Sequence, residues 1–239
     1  MKVTWIFLLS CCAVCSYAQP ADVDSLLRTI GKKDQAVREA FIRAYTTGVS
    51  GDTLLAVSEK MKAVDAENQR AVFGILETTG WPAGLSRPAN NAIFLVIDHA
   101  GQPDREKYLP LLAQKADEGV VDRGQYATLF DRVRMDRGLP QVYGTQSVMF
   151  ADRETGDDKC YLWPVEQPDR VDSLRMSAGL IPLGEYMELL EKTYGKPVVW
   201  ERELTVSRLN EIRHAREKSN EPNDTDSTSA GRGDDSVHL

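Results

Sequence analysis

The chain has 239 residues, 42% of them hydrophobic, which suits one globular domain whose core needs no disulfide or metal staple. Its 36 acidic against 29 basic residues leave a net charge of −7, whereas nucleic-acid phosphates call for clustered Lys and Arg. No basic face dense enough for an anionic membrane surface is present either.

Lys2 precedes an apolar run from Val3 to Val14, and Ser16-Tyr17-Ala18 places small residues at −3 and −1 before Gln19. That pattern predicts a cleavable secretory signal over residues 1–18 and an exported protein, periplasmic or secreted. The run is shorter than the roughly 20 apolar residues that span a bilayer, and no later stretch reaches that length, so no transmembrane segment is predicted. Leu8-Leu9-Ser10-Cys11 loosely resembles a bacterial lipobox, which makes a lipid anchor at Cys11 in the cell envelope the alternative. Cleavage after Ala18 removes Cys11, Cys12 and Cys15. The remaining Cys160 can form no intramolecular disulfide and offers no cysteine metal site, so neither a cofactor nor a metal is expected.

Residues 19–200 read as one helical domain. Two short amphipathic helices are predicted, Asp22 to Ile30 and Gln35 to Tyr45, the second carrying Val37, Phe41 and Tyr45 on one face. After the Gly48–Gly51 break, with Asp52 or Thr53 as N-cap, an interrupted helix runs through Leu54, Met61, Val72 and Leu76 and ends at Gly80-Trp81-Pro82. Ala92 to Ile97 is apolar all round, a central helix or a buried strand. A helix opens at Gln102-Pro103-Asp104. Another carries Tyr126, Leu129, Phe130 and Val133 to the core and stops at Gly138. Alternation around Val148 and Cys160 predicts a β-hairpin at about 145–165, turning at Asp152 to Asp158. Helices follow around Leu174, at Tyr186 to Leu190, and at 201–216, and residues 217–239 are too polar to offset the entropy of ordering. The fold class is mainly α: a single helical domain with one small hairpin and a disordered C-terminal tail.

Three groups of residues can carry chemistry. His99 directly follows Asp98 at the end of the most apolar segment, where an imidazole serves either as a general base oriented by a carboxylate or as a polar cap on a buried helix. At 100° per residue Asp131 points roughly opposite the centre of the Tyr126–Val133 stripe and Arg132 lies on its flank. That describes a solvated face or a second face lining a cleft. Gln141, Tyr143, Gly144, Thr145 and Gln146 form a polar knot that either ties down its own backbone or faces a ligand. Gly48-Val49-Ser50-Gly51 lacks the full nucleophile elbow and Asp152 to Asp158 lacks calcium-loop spacing. Arg232-Gly233-Asp234 matches an adhesion tripeptide by chance.

Together these residues resemble a bacterial domain-of-unknown-function family, number 6624, over about residues 22–190. The resemblance rests on Asp34-Gln35 with Arg38, Gly80-Trp81-Pro82, the His99 segment, Leu129-x-Asp131-Arg132-Val133, and Gln141-x-Tyr143-Gly144-Thr145-Gln146. It continues through Arg175, Gly179-Leu180, Pro182-Leu183 and Tyr186. The family's histidine run usually reads Gln-His-Ala-Asp, where this chain has Asp98-His99-Ala100-Gly101. The resemblance implies a shared helical fold and no assigned reaction. It draws His99 and Asp131, as catalytic candidates, and Arg132, Gln141, Tyr143, Thr145, Gln146 and Arg175, as ligand-binding candidates, toward one site. The leading expectation is an exported binding or interaction module for a small polar or anionic ligand or a protein partner. An envelope or secreted hydrolase with His99 as general base and a purely structural polar cluster are the rivals.

Overall fold

The computed structural model describes residues 20–151 and 158–220. In α1 (Pro20–Thr46) the buried residues Leu27, Ile30, Asp34, Val37, Phe41 and Ala44 recur at intervals of three and four, one stripe that passes Gly31 unbroken. The two short helices predicted here are therefore one. Glycine in a helix costs about 1 kcal/mol, and burial of the continuous stripe outweighs it. α2 (Gly51–Thr79) also runs without the predicted interruption and ends at Gly80, whose φ is 69°. Its cap is Ser50, whose hydroxyl accepts the Thr53 N–H, rather than Asp52 or Thr53.

The apolar segment forms a helix, α3 (Arg87–Asp98), with Ala92, Ile93, Phe94, Val96 and Ile97 all buried. Pro88 sits in its first turn, where its missing N–H removes nothing. α4 (Gln102–Asp117) and α5 (Arg123–Asp136) pack on each other, α5 opening with a reciprocal Asp122–Gln125 capping box. Leu27, Val72, Ile93, Leu112 and Leu129 close one core among these five helices.

The hairpin forms as β1 (Ser147–Ala151) and β2 (Asp158–Leu162), antiparallel with Ser147 opposite Leu162. Of its predicted turn, Asp152 to Asp158, residues 152–157 lie outside the described residues and Asp158 already belongs to β2. After α6 (Val171–Ser177) and α7 (Leu183–Tyr194), an unpredicted strand β3 (Val198–Val199) joins β2 in parallel. Two residues are too few for a periodic signal. α8 (Val206–Asn220) extends four residues beyond the predicted end, and Leu204 and Leu209 pack with Met135, Val148, Tyr161 and Trp163 in a second core.

The described part is thus mainly helical, eight helices with one three-stranded sheet. No described helix is long and apolar enough to cross a membrane. The predicted leader with Cys11, and the tail beyond Asn220, lie outside the described residues.

Candidate functional site

Asp34 takes a core position in the α1 stripe, so the helix carries a carboxylate inward, its side chain 1% exposed. Gly31 stands one turn earlier, and a Cβ there would meet the Ala92 Cβ at 3.0 Å, so the glycine lets α1 close on α3. That approach delivers Asp34 to His99, the C-cap of α3, at 3.1 Å from Asp34 Oδ1 to Nδ1. On the ring's other side Arg38 Nε donates to His99 Nε2 at 3.2 Å, while its NH2 group donates to both oxygens of Asp65 on α2 at 3.0 and 3.1 Å. Gln35 Nε2 donates to Asp34 Oδ2 at 2.9 Å, and Gln69 Nε2 donates to the His99 carbonyl at 3.5 Å.

The donors fix the tautomer. Arg38 can only donate, so Nε2 carries the lone pair and the proton sits on Nδ1, directed at Asp34. With Nε2 covered by a guanidinium, neither ring nitrogen is open to a metal. The two carboxylates are driven apart. Burial pushes Asp34 up, but the His99 hydrogen bond and the field of His99 and Arg38 outweigh it and hold the carboxyl below the ordinary range. At Asp65 burial outweighs the Arg38 contact and the carboxyl is raised. His99 is 19% exposed, so this buried layer still reaches solvent.

Asp98, the neighbour expected to orient His99, turns away from it. Its Oδ1 accepts from Arg132 Nε at 3.1 Å, and its Oδ2 lies 3.9 Å from His99 Nε2. The orienting carboxylate is Asp34, 65 residues earlier in the chain. A single sequence carries one clue to it, an acid standing in an otherwise apolar stripe.

The polar knot lies apart from this layer. Asp131, predicted opposite the apolar stripe, is 0% exposed, because the second face of α5 is buried against the 141–146 loop. Its carboxylate accepts the N–H groups of Val142, Tyr143 and Thr145 and the Thr145 hydroxyl, all between 2.7 and 3.1 Å. Burial still pushes Asp131 up, with these donors pulling it back only in part. Gln141 Nε2 donates to the carbonyls of Gln146 and Trp163, and its Oε1 accepts the Gln146 N–H. Gln146 Nε2 donates to the Thr128 carbonyl and to the Thr145 hydroxyl. Arg175 donates to the carbonyls of Ile181, Tyr143 and Gly144. Gly144 is required here: its φ is 68°, and a Cβ would meet Leu183 Cδ1 at 3.1 Å. Tyr186, pushed up to about 12 by burial, donates its hydroxyl to the Thr145 carbonyl. The Tyr143 ring meets Phe130 edge-on.

The structure therefore pairs Arg132 with Asp98 and leaves His99 to Asp34 and Arg38, and gathers Asp131, Gln141, Thr145, Gln146 and Arg175 around a loop backbone. Sequence reasoning passed over Asp65 altogether and saw Asp34 and Arg38 only through the family resemblance.

No curated protein and no solved structure matches the chain. The sequence profile described as Family of unknown function (DUF6624) matches residues 21–199, well over half of the chain, and the chain belongs to that family.

Proposed function

We propose that the chain is an exported binding module whose site is the polar layer around His99, and that it takes a small polar ligand. The carrying observation is the Asp34–His99–Arg38–Asp65 relay, in which a buried carboxylate and a partly exposed imidazole bond each other and the chain of side chains spans α1, α2 and the end of α3. Side-chain partners of this kind can rotate away and exchange a hydrogen bond for one to a ligand, which a backbone donor cannot do. With His99 neutral, Asp34, Asp65 and Asp98 outnumber Arg38 and Arg132, so the layer suits a neutral polar or donor-rich group better than an anion. Export, periplasmic or secreted, is supported by the leader-like first eighteen residues.

The hydrolase alternative is favoured by one feature: Asp34 holds the Nδ1 proton and leaves the basic lone pair on Nε2. Arg38 covers that lone pair, and Arg38 would have to swing out before His99 could take a proton. No oxyanion donors are gathered near it from the 141–146 loop, whose N–H groups serve Asp131. Binding is the better-supported reading.

A thermal-shift screen of small polar compounds on wild type, His99→Gln and Arg38→Gln tests it. A ligand at about 100 times its Kd adds about 2.7 kcal/mol, which moves the melting of a chain of this size by about 5–10 °C. Hits on wild type that vanish in both variants are expected. Variants that melt far below wild type, with no compound shifting wild type, would make the layer architectural. Turnover of any hit that His99→Ala abolishes while affinity survives would establish the hydrolase.

A further inference from the structure

Arg87, Asn91, Phe94 and Asp98 follow one another on α3 at intervals of four, three and four residues and so share one face. Two cavities border that face. One, of about 990 Å³, lies between α3, the Trp81–Leu85 turn and the α4–α5 connection. The other, of about 680 Å³, lies between α3, the first turns of α5 and the α6–α7 turn, and Asp98 is part of its wall. Arg87, Asp122 and Gln125 line both, so the two cavities adjoin along α3 as a groove interrupted by the Arg87–Asp122 ion pair at 2.8 Å. These two side chains are 84% and 62% exposed and free to move aside. Arg87 to Asp98 spans about 16 Å of helix, a length that suits an oligomer rather than one small molecule.

We propose that this groove binds a neutral oligosaccharide, with Trp81 as the stacking surface at its outer end and Asp98 at its inner end. Its link to His99 rests on the function proposed above; the groove itself does not. Trp81 is half-buried, and its indole N–H is fixed on Asn90 Oδ1 at 2.8 Å, so the ring is oriented before any ligand arrives. A fixed aromatic face matches the C–H face of a pyranose ring. Exposed Asn91 accepts from Gln125 Nε2 at 2.6 Å, which fixes its amide and leaves Nδ2 without a partner among the described residues. Such a donor, beside carboxylates, is what a ring of hydroxyls needs. Arg87, Lys115 and Arg123 face Asp98, Glu118 and Asp122, so the groove has no net charge to favour an ionic polymer. Its walls are helices and turns, which offer no strand edge for a peptide to extend.

The test is NMR titration of the full ¹⁵N-labelled chain with cellohexaose, chitohexaose and maltohexaose, with hexa-alanine as the peptide probe. At least one hexasaccharide should saturably shift the amides of Asn91, Gly124 and Gln125 and perturb Trp81 fluorescence. Its monosaccharide should bind about tenfold more weakly, and Trp81→Ala and Asn91→Ala should each weaken the hexasaccharide by about tenfold. Asn91 is exposed, so its variant tests the groove with the fold intact. Failure of all three hexasaccharides, binding of hexa-alanine at the same amides, or wild-type affinity in both variants overturns the groove. Saccharide binding retained in His99→Gln supports the groove and assigns any failure to the His99 site; loss in the groove variants with the His99 ligand response intact does the same.

Discussion

Asp131 and Asp34 are both buried carboxylates, 0% and 1% exposed, and they are neutralised in opposite ways. Around Asp131 the donors are three N–H groups and one hydroxyl of a single loop, all within 14 residues in sequence. Around Asp34 they are the side chains of His99, Gln35 and Arg38, and the histidine arrives from another helix. Peptide dipoles cannot leave without unfolding the loop, so the first arrangement fixes shape. Side chains can rotate or titrate, so the second can respond to a ligand or a proton. Burial of a charge alone does not tell architecture from site; the mobility of its partners does.

The sharpest way to break that contrast is Asp131→Ala. It strands several buried donors at once and should cost about 3–5 kcal/mol, a melting drop on the order of 10 °C by calorimetry. A drop of only a degree or two would mean that the loop is not held by this carboxylate. Arg175→Met should come next, at about 2 kcal/mol in urea unfolding, because the carbonyls of Tyr143, Gly144 and Ile181 lose their donor. Gly144→Ala should fall close behind, at about 1–2 kcal/mol, from a positive φ and the contact with Leu183.

Asp34→Asn sharpens the comparison through pH. The folded carboxyl is depressed, so its stabilisation is complete above the ordinary carboxylate range and fades as the pH falls through the lower folded value. The gap in unfolding free energy between wild type and Asp34→Asn should therefore be constant from neutral pH to about pH 4 and close below it. Asp65 carries the opposite sign: its raised carboxyl contributes most in acid, and that contribution declines as the pH rises through the folded value. A gap that widened in acid would show that Asp34 is not held ionised. The smallest stability effects belong to His99→Gln and Arg38→Gln, under about 1 kcal/mol each, since both side chains reach solvent and Gln keeps a donor. Both should leave the fold intact while removing the ligand response.

Much of the helical plan was legible because apolar residues recur with the helix period, and Gly80, Pro103 and Gly138 mark ends. The fusion of α1 was not, since Gly31 and Asp34 both argue locally against a continuous core stripe, and only packing against Ala92 reverses that. β3 was hidden because two residues carry no period. The knot at 141–146 was visible as a polar run, but its role depends on where Asp131 points. Helical angle placed that residue away from the core, and the loop then folded over it.

By itself, the sequence determined the helical class, the hairpin and the polar character of the 141–146 run, because periodicity and residue type are local properties. Tertiary structure decided which carboxylate serves the histidine, that Asp65 and Arg38 complete the layer, and that two cavities adjoin along α3. Those are distances between groups as many as 65 residues apart in the chain, and such distances exist only once helices have packed.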